Sequence, residues 1–92
     1  MANIYESLSK YQTNLMEKWV KQINFYRVGA KTTVAVLTLS NGFEVVGTSA
    51  CVNPENFDKE LGDKYSLIDA LDKLDEFNGF YEQSINIGSK EA

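Results

Sequence analysis

The side chains able to do chemistry in this 92-residue chain are few, and their types point to binding rather than bond-making. Histidine is absent, which removes the usual general base, the imidazole metal ligand and the Ser-His or Cys-His nucleophile pair. One cysteine, Cys51, cannot build a zinc site or an internal disulfide. It stands two residues before Asn53-Pro54, where a helix start would lower a thiol pKa, so a Cys51 nucleophile is one reading. With no evident base to serve it, a small buried hydrophobe is the other. Asp69, Asp72, Asp75 and Glu76 recur at helical spacing but lack the alternating oxygen ligands and tight glycine turn of a calcium loop. They read as a solvated helix face, or as an acidic surface that imitates nucleic acid toward a basic protein, for which a net charge of −4 is small. No catalytic residue, metal ligand or cofactor is therefore expected.

The binding candidate is the junction Thr48-Ser49-Ala50-Cys51-Val52-Asn53. A helix N-terminus offers free amides and a positive dipole to an anion, and Thr48, Ser49, Asn53 and Asn56 add neutral donors. Arg27 or Lys31 could complete such a pocket from a neighbouring strand. Ordinary capping by Asn53 and Pro54 is the competing account. Tyr11, Trp19 and Tyr26 are the aromatics expected at a partner surface, where Tyr11 and Trp19 read as core or interface packing, with stacking on a nucleobase as the alternative.

The elements that position these residues follow from the hydrophobic pattern. Asn3-Ile4-Tyr5-Glu6 has the form of a capping box, and Ile4, Leu8, Tyr11, Leu15, Trp19 and Ile23 then define one stripe on a helix of about five turns. Asn24 to Val28 reads as a short strand, with Gly29-Ala30-Lys31 turning into the β-branched run from Thr32 to Leu39. Asn41-Gly42 predicts a two-residue type I′ hairpin. That loop would set Thr38 opposite Val45 and Leu37 opposite Val46, leaving apolar groups on both faces. Pro54 predicts the start of a second helix carrying Phe57, Leu61, Tyr65, Ile68, Leu71 and Leu74 on one face, flanked by Leu67, Ala70 and Phe77. Gly62 within it marks a close backbone approach to the sheet. Asn78-Gly79 predicts its left-handed end, with Phe80 and Tyr81 folding back and residues 84–92 as a frayed tail. The expectation is one α+β domain over residues 1–83: an N-terminal helix, a three-stranded antiparallel β-meander, and a long C-terminal helix packed on the sheet.

Length and composition bound the rest. A chain this short with 43% hydrophobic residues builds a modest core, so a homo-oligomer is expected. No run approaches a membrane span, and Met1-Ala2-Asn3 lacks a secretion signal. Residues 1–31 hold five basic and two acidic groups, whereas residues 53–79 hold eight acidic and three basic. Such asymmetry argues against a duplex-nucleic-acid binder, leaves room for a small anionic ligand in the basic half, and equally suits two helices that attract each other.

The stretch VLTLSNGFEVVGTSACVNPENFDKELG resembles the gene-product-49/gene-product-66 family of small tailed-bacteriophage proteins. The matching residues are Val36 to Leu39, Asn41-Gly42-Phe43, Gly47, Ser49-Ala50-Cys51 and Pro54 to Asp58 through Gly62. The chain departs from that family's pattern at Asp63, where a basic residue is usual, and over Leu74 to Tyr81, where the family ends with a Trp. The resemblance implies a phage origin without an established enzymatic activity. It leads to the expectation of a non-catalytic accessory protein in the host bacterial cytoplasm. Such a protein would neutralise a host protein or sequester a small nucleotide signal. A virion or assembly component is the alternative, followed by a Cys51-dependent enzyme.

Overall fold

A computed structural model of the chain describes residues 4–91, with side chains described through Ile85. The elements are α1 (Lys10–Trp19), β1 (Val20–Val28), β2 (Thr32–Leu39), β3 (Glu44–Ala50) and α2 (Lys59–Glu91), with single 3₁₀ turns at Ile4–Ser7 and Pro54–Asn56. The fold is α+β: a short N-terminal helix, an antiparallel meander of order β1-β2-β3, and a long C-terminal helix across one face of the sheet.

The N-terminal stripe is real, but it does not belong to one helix. Ser9, not Asn3, builds the capping box: its hydroxyl accepts from Gln12 N–H and its own N–H donates to the Gln12 side chain. Asn3 lies outside the described residues. The helix stops at Trp19 and the chain is already a strand at Val20, four residues before the expected start. Ile4, Leu8, Trp19 and Ile23 still all pack on the core, because the burial demanded by their side chains is met by a 3₁₀ turn, a helix and a strand in succession.

The hairpin loop has three residues rather than two. Gly42 N–H donates to Leu39 O at 2.9 Å, Leu39 N–H donates to Phe43 O at 2.8 Å, and Gly42 alone takes positive φ, at 91°. This is a type I turn closed by a left-handed glycine, the usual three-residue solution. It sets Leu37 opposite Val45, Val36 opposite Val46 and Thr38 opposite Glu44, one residue away from the I′ register. Because side chains alternate, that single step moves Leu37 and Val45 onto the same face. Thr33, Ala35, Leu37, Leu39, Val45 and Gly47 are buried as a result, and Val34, Val36 and Val46 face the other way, where none of the described elements covers them.

Helix α2 lies on the buried face. Leu37, Leu67, Leu71 and Leu74 are at most 2% exposed, and burial of each contributes about 1.5–3 kcal/mol. The helix is rotated from the expected face: Asp63, Ser66, Leu67, Ala70, Leu71, Leu74 and Asn78 are buried, while Leu61, Tyr65 and Phe77 are about half exposed. Small residues decide this rotation. A Cβ on Gly47 would stand 2.2 Å from Ser66 O and 2.3 Å from Ala70 N, and one on Gly62 would stand 2.3 Å from Thr33 Oγ1. Gly62, Ser66 and Ala70 recur every four residues, and that row is where the helix backbone comes down onto the sheet.

Both expected ends of α2 are corrected. Pro54 opens only a 3₁₀ turn, after which Phe57 turns extended (ψ 127°) and Asp58 starts the helix proper, its Oδ1 accepting from Glu60 N–H at 2.9 Å and Leu61 N–H at 3.3 Å. Asn78-Gly79 does not end it, since Gly79 has no positive φ and the helix continues to Glu91. Phe80, Tyr81 and most of the segment expected as a tail are therefore helical.

The sheet's two edges differ. At β3, Asp69 Oδ2 accepts from Thr48 N–H at 2.9 Å and Lys73 Nζ donates to Val46 O at 3.0 Å, while the two side chains pair at 3.3 Å. These α2 side chains occupy edge groups that another strand would need, a known way of blocking strand addition.

Candidate functional site: a groove beside the first strand

The residues expected at the junction do not converge. Thr48 is exposed on the uncovered sheet face, whereas Ser49 is paired with Thr33 on the covered one. The Asn53 side chain accepts from Glu55 N–H at 3.0 Å, so its oxygen is used in capping. The amides that start α2 are taken by Asp58, which puts a carboxylate where an anion would have bound. Lys31 is exposed in the turn before β2, its carbonyl accepting from Cys51 N–H at 2.9 Å. Asn56 and Cys51 share a cavity of about 190 Å³ below Phe57, in which the Cys51 thiol donates to Asn53 O at 3.3 Å. Among the described residues no group of three Cys, Asp or Glu side chains could hold a metal ion.

The aromatics expected at a partner surface are placed differently from one another. Tyr11 hydroxyl donates to the Asp75 carboxylate on α2. The indole of Trp19 is half-buried, donates to Asn78 Oδ1 at 2.8 Å and meets Tyr81 edge-on at 5.5 Å, so it is committed within the chain. Lys18 adds an ion pair to Glu82 at 2.8 Å, so the attraction between a basic N-terminal half and an acidic second helix has a material basis at α1–α2. Tyr26 is 53% exposed on the open sheet face.

Of the expected ligand residues, Arg27 alone lines a large concavity. Two adjoining cavities of about 530 and 380 Å³ run beside β1 and share Phe25, Lys59 and Asp63. At one end Arg27 lies with its guanidinium 3.9 Å from the Phe57 ring centre, one nitrogen donating to Ala30 O at 2.8 Å. The cation–π contact holds the guanidinium against the ring and leaves guanidinium N–H groups unspent. Lys59 Nζ pairs with the buried Asp63 at 2.6 Å, and 79% of the Lys59 side chain remains exposed. The other end is lined by Tyr5, Asp58 and Glu60. Arg27 thus lines only the smaller cavity and Asp58 and Glu60 only the larger, with Phe25 and the Lys59–Asp63 pair common to both.

Phe25, Phe57, Lys59 and Asp63 were missed as site residues because nothing local marks them. Phe57 and Lys59 meet Arg27 only because the chain between the 3₁₀ turn and α2 runs extended, which brings residues some thirty positions apart into one wall.

A model of the phage protein (N4 Gp49/phage Sf6 gene 66) family matches residues 7–85. No curated protein and no solved structure matches the chain.

Proposed function

The chain belongs to this bacteriophage protein family, and from that premise we propose that it is a non-catalytic accessory protein. It acts in the host cytoplasm by binding and withholding a small anionic ligand, to the advantage of the phage against a host defence or process. The observation that carries this is the groove: its cavities have the size of small-molecule sites. The Arg27 end suits a phosphate, the Phe25 ring suits a flat body, and the Asp58 and Glu60 end suits amino or hydroxyl donors. A nucleotide has all three parts in that order. Calorimetry of the chain with a panel of linear and cyclic nucleotides, and with inorganic phosphate, tests it. Micromolar or tighter binding to a nucleotide is expected, weakened on the order of tenfold or more in Arg27→Ala, the scale of a lost charge-assisted hydrogen bond. No heat with any nucleotide removes this reading.

A second reading, inhibition of a host protein, is favoured by the open sheet face. Tyr26, Val28, Val34, Val36 and Val46 lie on it, and Glu44 is the one charged residue the pairing places there. A photoreactive residue at Val36 that captures one host protein in infected cells, when the same group at Asp72 does not, supports it. Equal capture from both positions excludes it.

A further inference from the structure

Helix α2 outruns the fold that supports it. Thirty-three residues make a helix of about 50 Å, against about 26 Å for an eight-residue strand, and the molecule measures 57 × 25 × 21 Å. The stripe that faces the sheet keeps its three-and-four spacing as the helix leaves it: Leu67, Leu71, Leu74, Asn78, Tyr81, Ile85. The first four are buried, whereas Tyr81 and Ile85 are 49% and 46% exposed, and Phe77 and Phe80 beside them are 53% and 74% exposed. Where the helix departs, Trp19, Leu39, Phe43, Leu74, Phe77 and Tyr81, with Asn41 and Asn78, line a mostly apolar cavity of about 180 Å³ that opens to solvent.

We infer that the distal half of α2 is a self-association surface, on which a second copy of this chain crosses antiparallel about a twofold axis near Phe80. In that arrangement each Phe80 enters the apolar cavity of the other copy.

Three observations select a second copy. The first is fit: a cavity of about 150 Å³ accepts a benzene ring, so one of about 180 Å³ accepts the ring of Phe80. The second is area. With about 200 Å² for each large side chain, the exposed parts of Phe43, Phe77, Phe80, Tyr81 and Ile85 come to roughly 550 Å² per copy. Two copies together cover about 1,100 Å², above the roughly 1,000 Å² a specific interface needs. The third is charge. Glu82 is the only charged residue from Phe77 to Ser89, and Lys18 of the same chain pairs with it at 2.8 Å. Two identical copies therefore meet without like charges in apposition, as a twofold contact requires. Asp72 and Glu76 lie about two turns and one turn before Phe80.

The test is sedimentation equilibrium of the full chain at tens of micromolar. A dimer is expected, and Phe80→Glu should return it to monomer or weaken it on the order of a hundredfold, the scale of a central aromatic anchor. Phe80 is 74% exposed, so the variant keeps its helical circular dichroism and its melting transition. Ile85→Glu should act in the same direction, and Tyr26→Glu on the open sheet face should leave the dimer intact. A wild-type monomer at this concentration overturns the inference, as does a dimer indifferent to Phe80→Glu or one dissolved by Tyr26→Glu. The ligand groove contains none of these residues apart from Tyr26, so loss of the dimer in Phe80→Glu with nucleotide heats unchanged separates this surface from the groove.

Discussion

The indole N–H of Trp19 donates to the side-chain oxygen of Asn78 at 2.8 Å, and Lys18 Nζ donates to the same oxygen at 3.0 Å. One amide, buried to 8% exposure, thus ties the end of α1 to the middle of α2. Asn78 makes these bonds from within the continuing helix, which runs to Glu91. Asn78→Ala leaves the Trp19 N–H without its partner in a half-buried setting, where an unmet donor costs about 1–3 kcal/mol. Urea unfolding should show that loss, and the change in Trp19 fluorescence should follow the same transition. An unchanged midpoint would show the bond to be incidental.

Gly47 and Gly62 are close approaches of sheet to helix, and they should respond differently to a methyl group. At Gly47 the obstacles are Ser66 O and Ala70 N, helix backbone that cannot rotate away. Gly47→Ala should cost about 3 kcal/mol or more, the upper end of overpacking. At Gly62 the obstacle is Thr33 Oγ1, a hydroxyl that is buried with no hydrogen-bond partner. Thr33→Ala removes that atom, so the Gly62→Ala and Thr33→Ala pair should be less destabilised than the two single variants together. A double-mutant cycle with zero coupling would count against this geometry.

Acid should loosen the β3 edge. The Thr48 backbone N–H holds the Asp69 carboxyl below its ordinary value against desolvation, which raises it, and Lys73 adds to the depression. A carboxylate depressed in the folded state stabilises it above the unfolded pKa, about 3.9, and loses that contribution as pH falls through the folded pKa. Glu82, held down by Lys18, acts in the same sense. Asp69→Asn should therefore flatten the fall of the urea midpoint below about pH 4, where ordinary carboxylates begin to protonate. An acid limb as steep as wild type would assign it to other groups.

At the alkaline side Tyr11 is the group to watch. Its hydrogen bond to Asp75 raises the phenol pKa above the usual value, with desolvation and the Asp75 and Glu82 charges adding to the shift. A raised phenol stabilises the fold fully below the unfolded pKa of about 10, and that contribution is lost as pH climbs through the folded value. Ultraviolet titration should show one late tyrosine that disappears in Tyr11→Phe. Its persistence in that variant would place the late ionisation elsewhere.

How far the candidate site was readable depends on the range of the interaction that makes it. Arg27 could be named only as a cation on the strand neighbouring the Thr48–Asn53 junction, which is not the concavity it lines. Its partners could not, because Phe57, Lys59 and Asp63 reach it only through the packing of α2 on the sheet. The acidic helix face was readable as a pattern, but that Asp69 and Lys73 would bind the β3 edge was not.

By itself the sequence determined the order and kind of elements. The β-branched run of β2, the glycine at the hairpin and the long apolar repeat of α2 are preferences of single residues and near neighbours, and they survive whatever packs around them. The row Gly62, Ser66 and Ala70 was also present to be read, since small residues four apart leave a channel on any helix. Tertiary structure alone decided where elements start, stop and face. Asn41-Gly42 is compatible with loops of two or three residues, and the burial of Leu37 and Val45 under α2 selects between them. Asn78-Gly79 is compatible with an end or a continuation, and in the fold the helix continues to Glu91 with Asn78 buried against Trp19. The physical reason is one of magnitude: a turn type or a cap is worth about 1 kcal/mol, and the burial of one core leucine outweighs it.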